Sequence, residues 1–372
     1  MLYLAGIFIS IFLSLLLLIK KNKSRADIIL AIWMAVMTVH QIVHYLDFTT
    51  FSYQYPHLLG TVFALPLLHG LLLYFYTAAL TGLKKITLKS IVPHFIPFVL
   101  LLVLAIPFYA LPGEQKVEVF KSGGKGFEWY MLIQLLFILG SGMTYVFKSL
   151  ILIKQSRTQL EELFSDLKKK NLQWLQYLSM GLAGIWVLVL FFDDAVIFVG
   201  VSGLVLLIGI LGINQAPIFT AQFEPKPDGV LSENEGEESP QVRYAKSGLK
   251  AAASDELFDR LTQLMSQEEV YKNNELTMGE LAIMLDVQPN YLSQVINEKA
   301  GKNFYNYINS LRIEAFINLA AQPEKLHYSL LALAFDCGFN SKSTFNKYFK
   351  AVTGETPSEY LFLVKSSDFV VN

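Results

Sequence analysis

Histidines and carboxylates set in apolar sequence are the residues of this chain best placed to do chemistry. Five of the six histidines, His40, His44, His57, His69 and His94, lie in or beside long apolar runs. His40 and His44 are one helical turn apart on a common face, and Asp47 follows them; Glu128, Asp193 and Asp194 stand at the edges of other apolar runs. An ionisable group in lipid is costly and is a functional candidate by default. Binding a proton or a divalent metal is the chemistry on offer, and hydration or pairing inside a helical bundle is the plain alternative. Spacing along the chain does not bring separate helices together, so both readings stay open. Catalysis lacks its parts: the runs hold no His-Glu-x-x-His, no paired catalytic carboxylates and no nucleophile motif, and residues 195–213 hold no lysine for a Schiff base. The single cysteine, Cys337, forbids an intramolecular disulfide or a thiolate cluster and reads as a small buried filler. Neither an enzyme nor a cofactor is expected.

A second set of residues offers hydrogen bonds rather than reactivity. Thr277 and Glu280 form a capping box for a helix over 278–285, with Leu281, Ala282 and Leu285 on its inner side. After Asp286–Val287–Gln288, Pro289 opens a second helix that runs to about Lys299. Two short helices around a three- or four-residue turn are the helix-turn-helix arrangement. It recurs: "YLSQVINEKAGKNFYNYI" from Tyr291 aligns without a gap to "TFNKYFKAVTGETPSEYL" from Thr344, pairing Leu292 with Phe345, Ile296 with Phe349, Gly301 with Gly354 and Tyr307 with Tyr360. A helix over roughly 303–320 joins the copies. With Leu292, Val295 and Ile296 turned inward, Asn290, Ser293, Gln294 and Asn297 are expected on the outer face. In the second copy Phe345 and Phe349 are inside, and Lys342, Ser343, Asn346, Lys347 and Lys350 are outside.

Residues 275–361 resemble the AraC/XylS family of bacterial transcription regulators. The most specific stretch is "LLALAFDCGFNSKSTFNKYFKAVTGETPSEYL", residues 330–361. It carries the family's Ala-x-x-x-Gly-Phe turn at Ala334–Phe339, then Phe345, Phe349–Lys350, Gly354 and Thr356–Pro357–Ser358. The first copy matches through "LAIMLDVQPNYLSQVINEKAGKNF" and the joining helix through "YINSLRIEAF". Two positions depart from the pattern: Leu361 replaces the usual arginine, and the first recognition helix has no arginine. The resemblance implies two DNA-reading units on one long helix. It places base contacts at Asn290, Ser293 and Gln294 and at Lys342, Ser343 and Lys347. Ser341, Thr344 and Lys350 are better placed for phosphate. Asn or Gln suits adenine, and Lys suits guanine.

The elements that must position these residues fall into unlike halves. Overall 53% of residues are hydrophobic and 16% charged, but nearly all the apolar runs lie in residues 1–219. Seven runs approach the roughly 20 residues needed to cross a bilayer as a helix: 2–19, 27–46, 57–80, 91–112, 127–147, 172–192 and 195–213. Twelve Lys and Arg side chains follow the first, third and fifth runs, against Lys116, Lys121 and Lys125 in the alternate loops. That bias puts the N-terminus outside an inner membrane and the C-terminal half in the cytoplasm. Pro66, Pro93, Pro97 and Pro107 are expected to kink their helices. Residues 220–254, rich in Pro, Glu and Gly, read as a flexible acidic linker, and Ser254 as the N-cap of a helix over 255–267. Over 255–372 there are 10 basic and 15 acidic residues, but over 287–350 there are 7 and 4. The expected fold is all-α: a seven-transmembrane-helix bundle (1–219), the linker, and a tandem helix-turn-helix domain (255–372). The expected partners are the lipid bilayer, double-stranded promoter DNA, RNA polymerase and a second copy of the chain. The rival readings are a transport or ligand-binding membrane protein whose helical domain makes protein contacts, and a domain released from its anchor by proteolysis.

Overall fold

A computed structural model describes residues 2–167, 172–214, 251–325 and 327–360, and all regular structure among them is helical. Most of the expected linker, Leu361 and Lys168–Lys170 fall outside the described residues. The chain divides into two compact units, Met1–Ser156 with Leu172–Pro225, and Arg157–Asn171 with Lys226–Asn372. Residues 157–171 thus belong with the C-terminal unit and not, as expected, with the membrane half.

The first unit contains α1 (Leu2–Ile19), α2 (Arg25–Phe48), α3 (Pro66–Thr81), α4 (Leu88–Ile91), α5 (Ile96–Leu104), α6 (Ile106–Tyr109), α7 (Gly113–Lys121), α8 (Glu128–Leu163, which ends in the second unit), α9 (Gln173–Phe191) and α10 (Asp194–Asn214). Three of these, α2, α8 and α9, are long and apolar enough to cross a membrane by length and composition; Tyr3–Ile19, Pro66–Thr81, Leu88–Leu104 and Asp194–Ile210 are shorter apolar helical segments. Proline explains much of the shortening. Pro66 is the first residue of α3, preceded by 3-10 turns at Phe51–Gln54 and Pro56–Leu58. Pro97 and Pro107 sit in the first turns of α5 and α6, and Pro93 lies in a 3-10 turn. These prolines begin helical segments, where a missing N–H costs nothing, instead of kinking continuous helices.

Trp33, Met34, Met37, Leu71, Leu73 and Leu175 form part of the unit's core, with α1 packed on α2 and α10, and α2 on α3. Large apolar side chains also cover its outside, among them Phe8, Leu132, Leu136, Phe147 and Phe191. At the start of α2, Ser24 and Asp27 form a capping box, and the buried Asp27 carboxylate accepts from Lys20 Nζ at 2.7 Å. The histidines and acids do not all gather. His57 and Glu128 are exposed, and Asp193 caps α10 by accepting from the Val196 N–H at 3.1 Å. His40 and His69 do meet, with Nδ1 of one 2.9 Å from Nε2 of the other. Among the described residues no group of three His, Cys, Asp or Glu is placed to hold a metal ion.

The second unit contains the end of α8, then α11 (Ala251–Glu268), α12 (Met278–Met284), α13 (Pro289–Ala300), α14 (Phe304–Ala320), α15 (Leu330–Asp336) and α16 (Lys342–Thr353). Helix α11 begins before Ser254, which is therefore a buried interior residue and not an N-cap. It packs along α13, where Lys299 pairs with Asp255. Helix α14 serves two cores. Phe304, Tyr307 and Ile308 join the core of α11, α12 and α13; Ile313, Phe316 and Ala320 join Leu333, Phe339, Phe345 and Phe349.

Candidate nucleic-acid interface

The pairs α12–α13 and α15–α16 are built on the same local rules. Each opens on a side-chain cap: Thr277 accepts from the Glu280 N–H, with Glu280 returning the bond, and Ser329 accepts from the Ala332 N–H. Each turn then passes through one residue of positive φ, Asp286 at 53° and Gly338 at 92°. The turns close through equivalent bonds, Val287 N–H to Ala282 C=O at 3.0 Å and Phe339 N–H to Ala334 C=O at 3.1 Å. The second turn has one residue more before its second helix starts. Both second helices end on a left-handed glycine, Gly301 and Gly354, whose N–H bonds to Asn297 C=O and Lys350 C=O. Gly338 is fixed by space as well as by φ: a Cβ there would lie 2.7 Å from the carbonyl oxygens of Tyr271 and Lys272.

The inward set is as expected: Leu292, Val295, Ile296, Phe345 and Phe349 are fully buried. On the outer face of α16, Lys342, Ser343, Asn346, Lys347 and Lys350 are exposed and Thr344 is half-buried. Ser341 is 8% exposed; its hydroxyl accepts from the Thr344 N–H and lies 2.8 Å from Ser343 Oγ. It is the N-cap of the helix, so its oxygen is already engaged. On α13, Asn290 is exposed and Ser293 and Asn297 are half-buried, with Asn297 Nδ2 donating to Ser293 C=O at 2.9 Å. Gln294 departs from expectation. It is 6% exposed, and its Nε2 donates to Glu298 Oε1 at 2.8 Å. Helix α13 has α11 along it as well as α12 and α14, and so retains a narrower free face than α16.

The basic residues also sort differently from the sequence count. Arg312 is 1% exposed and donates to Tyr271 C=O at 2.7 Å, Asn273 C=O at 2.8 Å, Ser165 C=O at 3.1 Å and Ser165 Oγ at 3.2 Å. Burial pulls its guanidinium down to about 10, against the opposing pull of Asp166, so it remains charged at neutral pH. Lys299 is committed to Asp255, and Lys302 donates to Ser310 Oγ at 3.0 Å. The exposed lysines Lys342, Lys347 and Lys350 all belong to α16. The buried thiol of Cys337 is pushed up to about 11, chiefly by burial, and fills the second core as expected.

Residues 161–166 were not singled out by sequence. The Phe164 backbone bridges Thr277, and Ser165 N–H donates to Leu276 C=O at 3.1 Å. Glu161 accepts from Asn303 Nδ2 at 3.3 Å, and Asp166 from Asn340 Nδ2. This short segment therefore touches the first pair's cap, the joining helix and the second pair's turn. The only hint in the sequence was a buried-type setting for Arg312, between Leu311 and Ile313.

Residues 281–361 match the family described as Helix-turn-helix domain. An uncharacterized HTH-type transcriptional regulator of Staphylococcus aureus is 28% identical over 103 residues, 27% of this chain and 13% of that protein. An HTH-type transcriptional regulator of Mycobacterium tuberculosis is 29% identical over 83 residues, 22% of this chain and 31% of that protein. This chain thus spans less than a third of either relative's length, and the likeness is confined to one domain. No solved structure matches. The C-terminal region is similar to helix-turn-helix domains of transcriptional regulators.

Proposed function

We propose that this chain is a membrane-bound, sequence-specific DNA-binding transcription regulator of the AraC type, with two helix-turn-helix units reading promoter DNA. The observation that carries the reading is the exposed face of α16, where Lys342, Lys347 and Lys350 stand opposite the buried Phe345 and Phe349, in a region similar to helix-turn-helix regulators. Lys347 is assigned to a base edge and Lys350, one turn later, to the phosphate backbone; Asn290 and Ser293 are assigned to bases from α13. The joining helix of 17 residues spans about 26 Å at roughly 1.5 Å per residue. With its flanking turns, that is of the order of the roughly 34 Å between adjacent groove repeats. RNA polymerase and a second copy of the chain are the further partners in this reading.

The membrane half is assigned to the bilayer on its apolar outside and on the loop-charge bias, with the N-terminus extracytoplasmic and the DNA-binding unit cytoplasmic. All seven apolar segments cross in this reading, the shorter ones aided by flanking turns and local thinning. Helix α8, of 36 residues, would be about 54 Å long, well beyond the roughly 30 Å hydrocarbon thickness. Its last turns and the residues after them are part of the DNA-binding unit, which gives a membrane event a covalent route to the contacts of Arg312.

The reading is tested by immunoprecipitating the full chain with its bound genomic DNA. Recovery of a shared sequence motif at promoters is expected; uniform recovery would contradict DNA reading. A periplasmic reporter fused within 113–126 should be active and one fused after residue 213 silent, and the reverse pattern would overturn the topology.

A further inference from the structure

Inside the first unit lies a cavity of 480 Å³ bounded by α2, α3, α8, α9, α10 and the loop before α8, within the roughly 300–1,000 Å³ typical of small-molecule sites. Its walls are aromatic, with Phe63, Phe108, Phe120, Phe127 and Phe198 presenting rings. His44 stacks on Phe198 with ring centroids 3.5 Å apart. Asp47 lies about one turn beyond His44 on α2, and Asp194 one turn before Phe198 on α10. The two helices are brought together by that stack, so both carboxylates fall at the same end of the cavity. No lysine or arginine is among the described residues that line it.

Some polar atoms of the lining residues are buried and unpaired. Tyr130 and Trp186 are each 3% exposed, and the Tyr130 hydroxyl, Trp186 Nε1 and His44 Nε2 are buried without a hydrogen-bond partner. Such atoms cost about 1–3 kcal/mol each unless something satisfies them. The deep wall, by contrast, is already settled. Trp33 Nε1 can only donate, so His69 Nδ1, 3.3 Å away, must accept. His69 then carries its proton on Nε2 and donates to His40 Nδ1, which holds both rings neutral and takes them out of competition for a cation.

We propose that this cavity binds a hydrophobic amine, its ammonium group held by Asp47 and Asp194 and its apolar body among the phenylalanine rings. Two carboxylates with no lysine or arginine in the described lining favour a cation, and aromatic faces attract one further. An anionic ligand would meet the same carboxylates with no lysine or arginine in the described lining to neutralise it. The proposal deepens the reading of the membrane half given above, and rests on it for the consequence of binding but not for binding itself.

The test is calorimetric titration of the full chain in nanodiscs with 4-phenylbutylamine and with 4-phenylbutyrate as the charge-reversed control. The amine should bind saturably and the acid should not. Asp47→Asn and Asp194→Asn, which keep shape and remove charge, should each weaken the amine about tenfold or more. Comparing nanodiscs of phosphatidylglycerol alone with ones containing phosphatidylethanolamine separates a free amine from a lipid headgroup. Competition only in the latter assigns the ammonium site to the headgroup. Uptake of amine and acid alike, in proportion to lipid and without saturation, would overturn the proposal, and that comparison on the unaltered chain decides even if a variant fails to insert. Saturable amine binding with no change in the chain's affinity for promoter DNA would leave the site standing and contradict only the coupling.

Discussion

On α13 the free face offers Asn290, with Ser293 and Asn297 half-covered and Gln294 turned in against Glu298. On α16 the corresponding face offers Lys342, Ser343, Asn346, Lys347 and Lys350, all exposed. Yet the two pairs share their capping, the positive-φ residue in the turn, the bond that closes it and the glycine that ends the second helix. Backbone architecture and surface chemistry have therefore been set independently. The free face of α13 is uncharged and suited to hydrogen-bonding a base, while that of α16 concentrates positive charge and suits guanine and phosphate. Joining them, α14 gives its first half to one core and its second half to the other, with Arg312 at the division.

That division is where the comparison breaks most easily. Arg312→Ala leaves the Tyr271 carbonyl without its donor and removes one bond each from the Asn273 and Ser165 carbonyls in a buried setting, a loss of about 3–5 kcal/mol. Hydrogen exchange on the full chain should show accelerated amides in both pairs at once; an effect confined to one pair would contradict the bridging role. Core truncation should separate the two instead. Phe345→Ala, at about 3–5 kcal/mol, and Leu292→Ala, at about 2–5 kcal/mol, should each loosen mainly their own pair, because the residues belong to different cores. Equal loosening of both pairs by either variant would mean that there is one core.

Surface substitutions sharpen the contrast at smaller cost. Lys347→Ala should lose about 1–3 kcal/mol at a cognate site and narrow the gap to random DNA. Lys350→Ala should weaken all sequences alike and lower the salt slope by about one. Asn290→Ala should alter sequence preference without changing the salt slope. Identical behaviour of the two lysine variants would move the reading face. The smallest effect is chemical: the Cys337 thiol, 1% exposed and pushed up to about 11, should resist iodoacetamide at pH 8 until the second pair is unfolded. Rapid native labelling would show that its core is open.

Local signals were readable and tertiary ones were not. The Thr277–Glu280 capping box, the Gly301 and Gly354 stops and the inward aromatics depend on neighbours a few residues away, and spacing reveals them. Gln294 was misplaced because its burial depends on packing from outside α13, which spacing along that helix does not register. Arg312 was counted with the surface charge because nothing local announces a buried guanidinium. Its partner Ser165 lies 147 residues away, beyond any periodicity argument. The apolar runs were found, but proline at helix starts shortened them in ways that hydropathy alone does not register. His40 and His69 meet only because α2 packs on α3, and no spacing on either helix could show it.

The central claim is that the second pair supplies the charge and both pairs supply the reading. The direct measurement is titration of the full chain in nanodiscs against a recovered promoter duplex and its scrambled counterpart at several salt concentrations. With Lys350 as the exposed lysine of α16 assigned to phosphate, the logarithmic salt slope should be about −1 per chain or steeper, at a slope of roughly −0.9 per phosphate contact. The promoter duplex should bind about a thousandfold or more tighter than the scrambled one. A slope near zero together with equal affinity for the two duplexes would contradict the account.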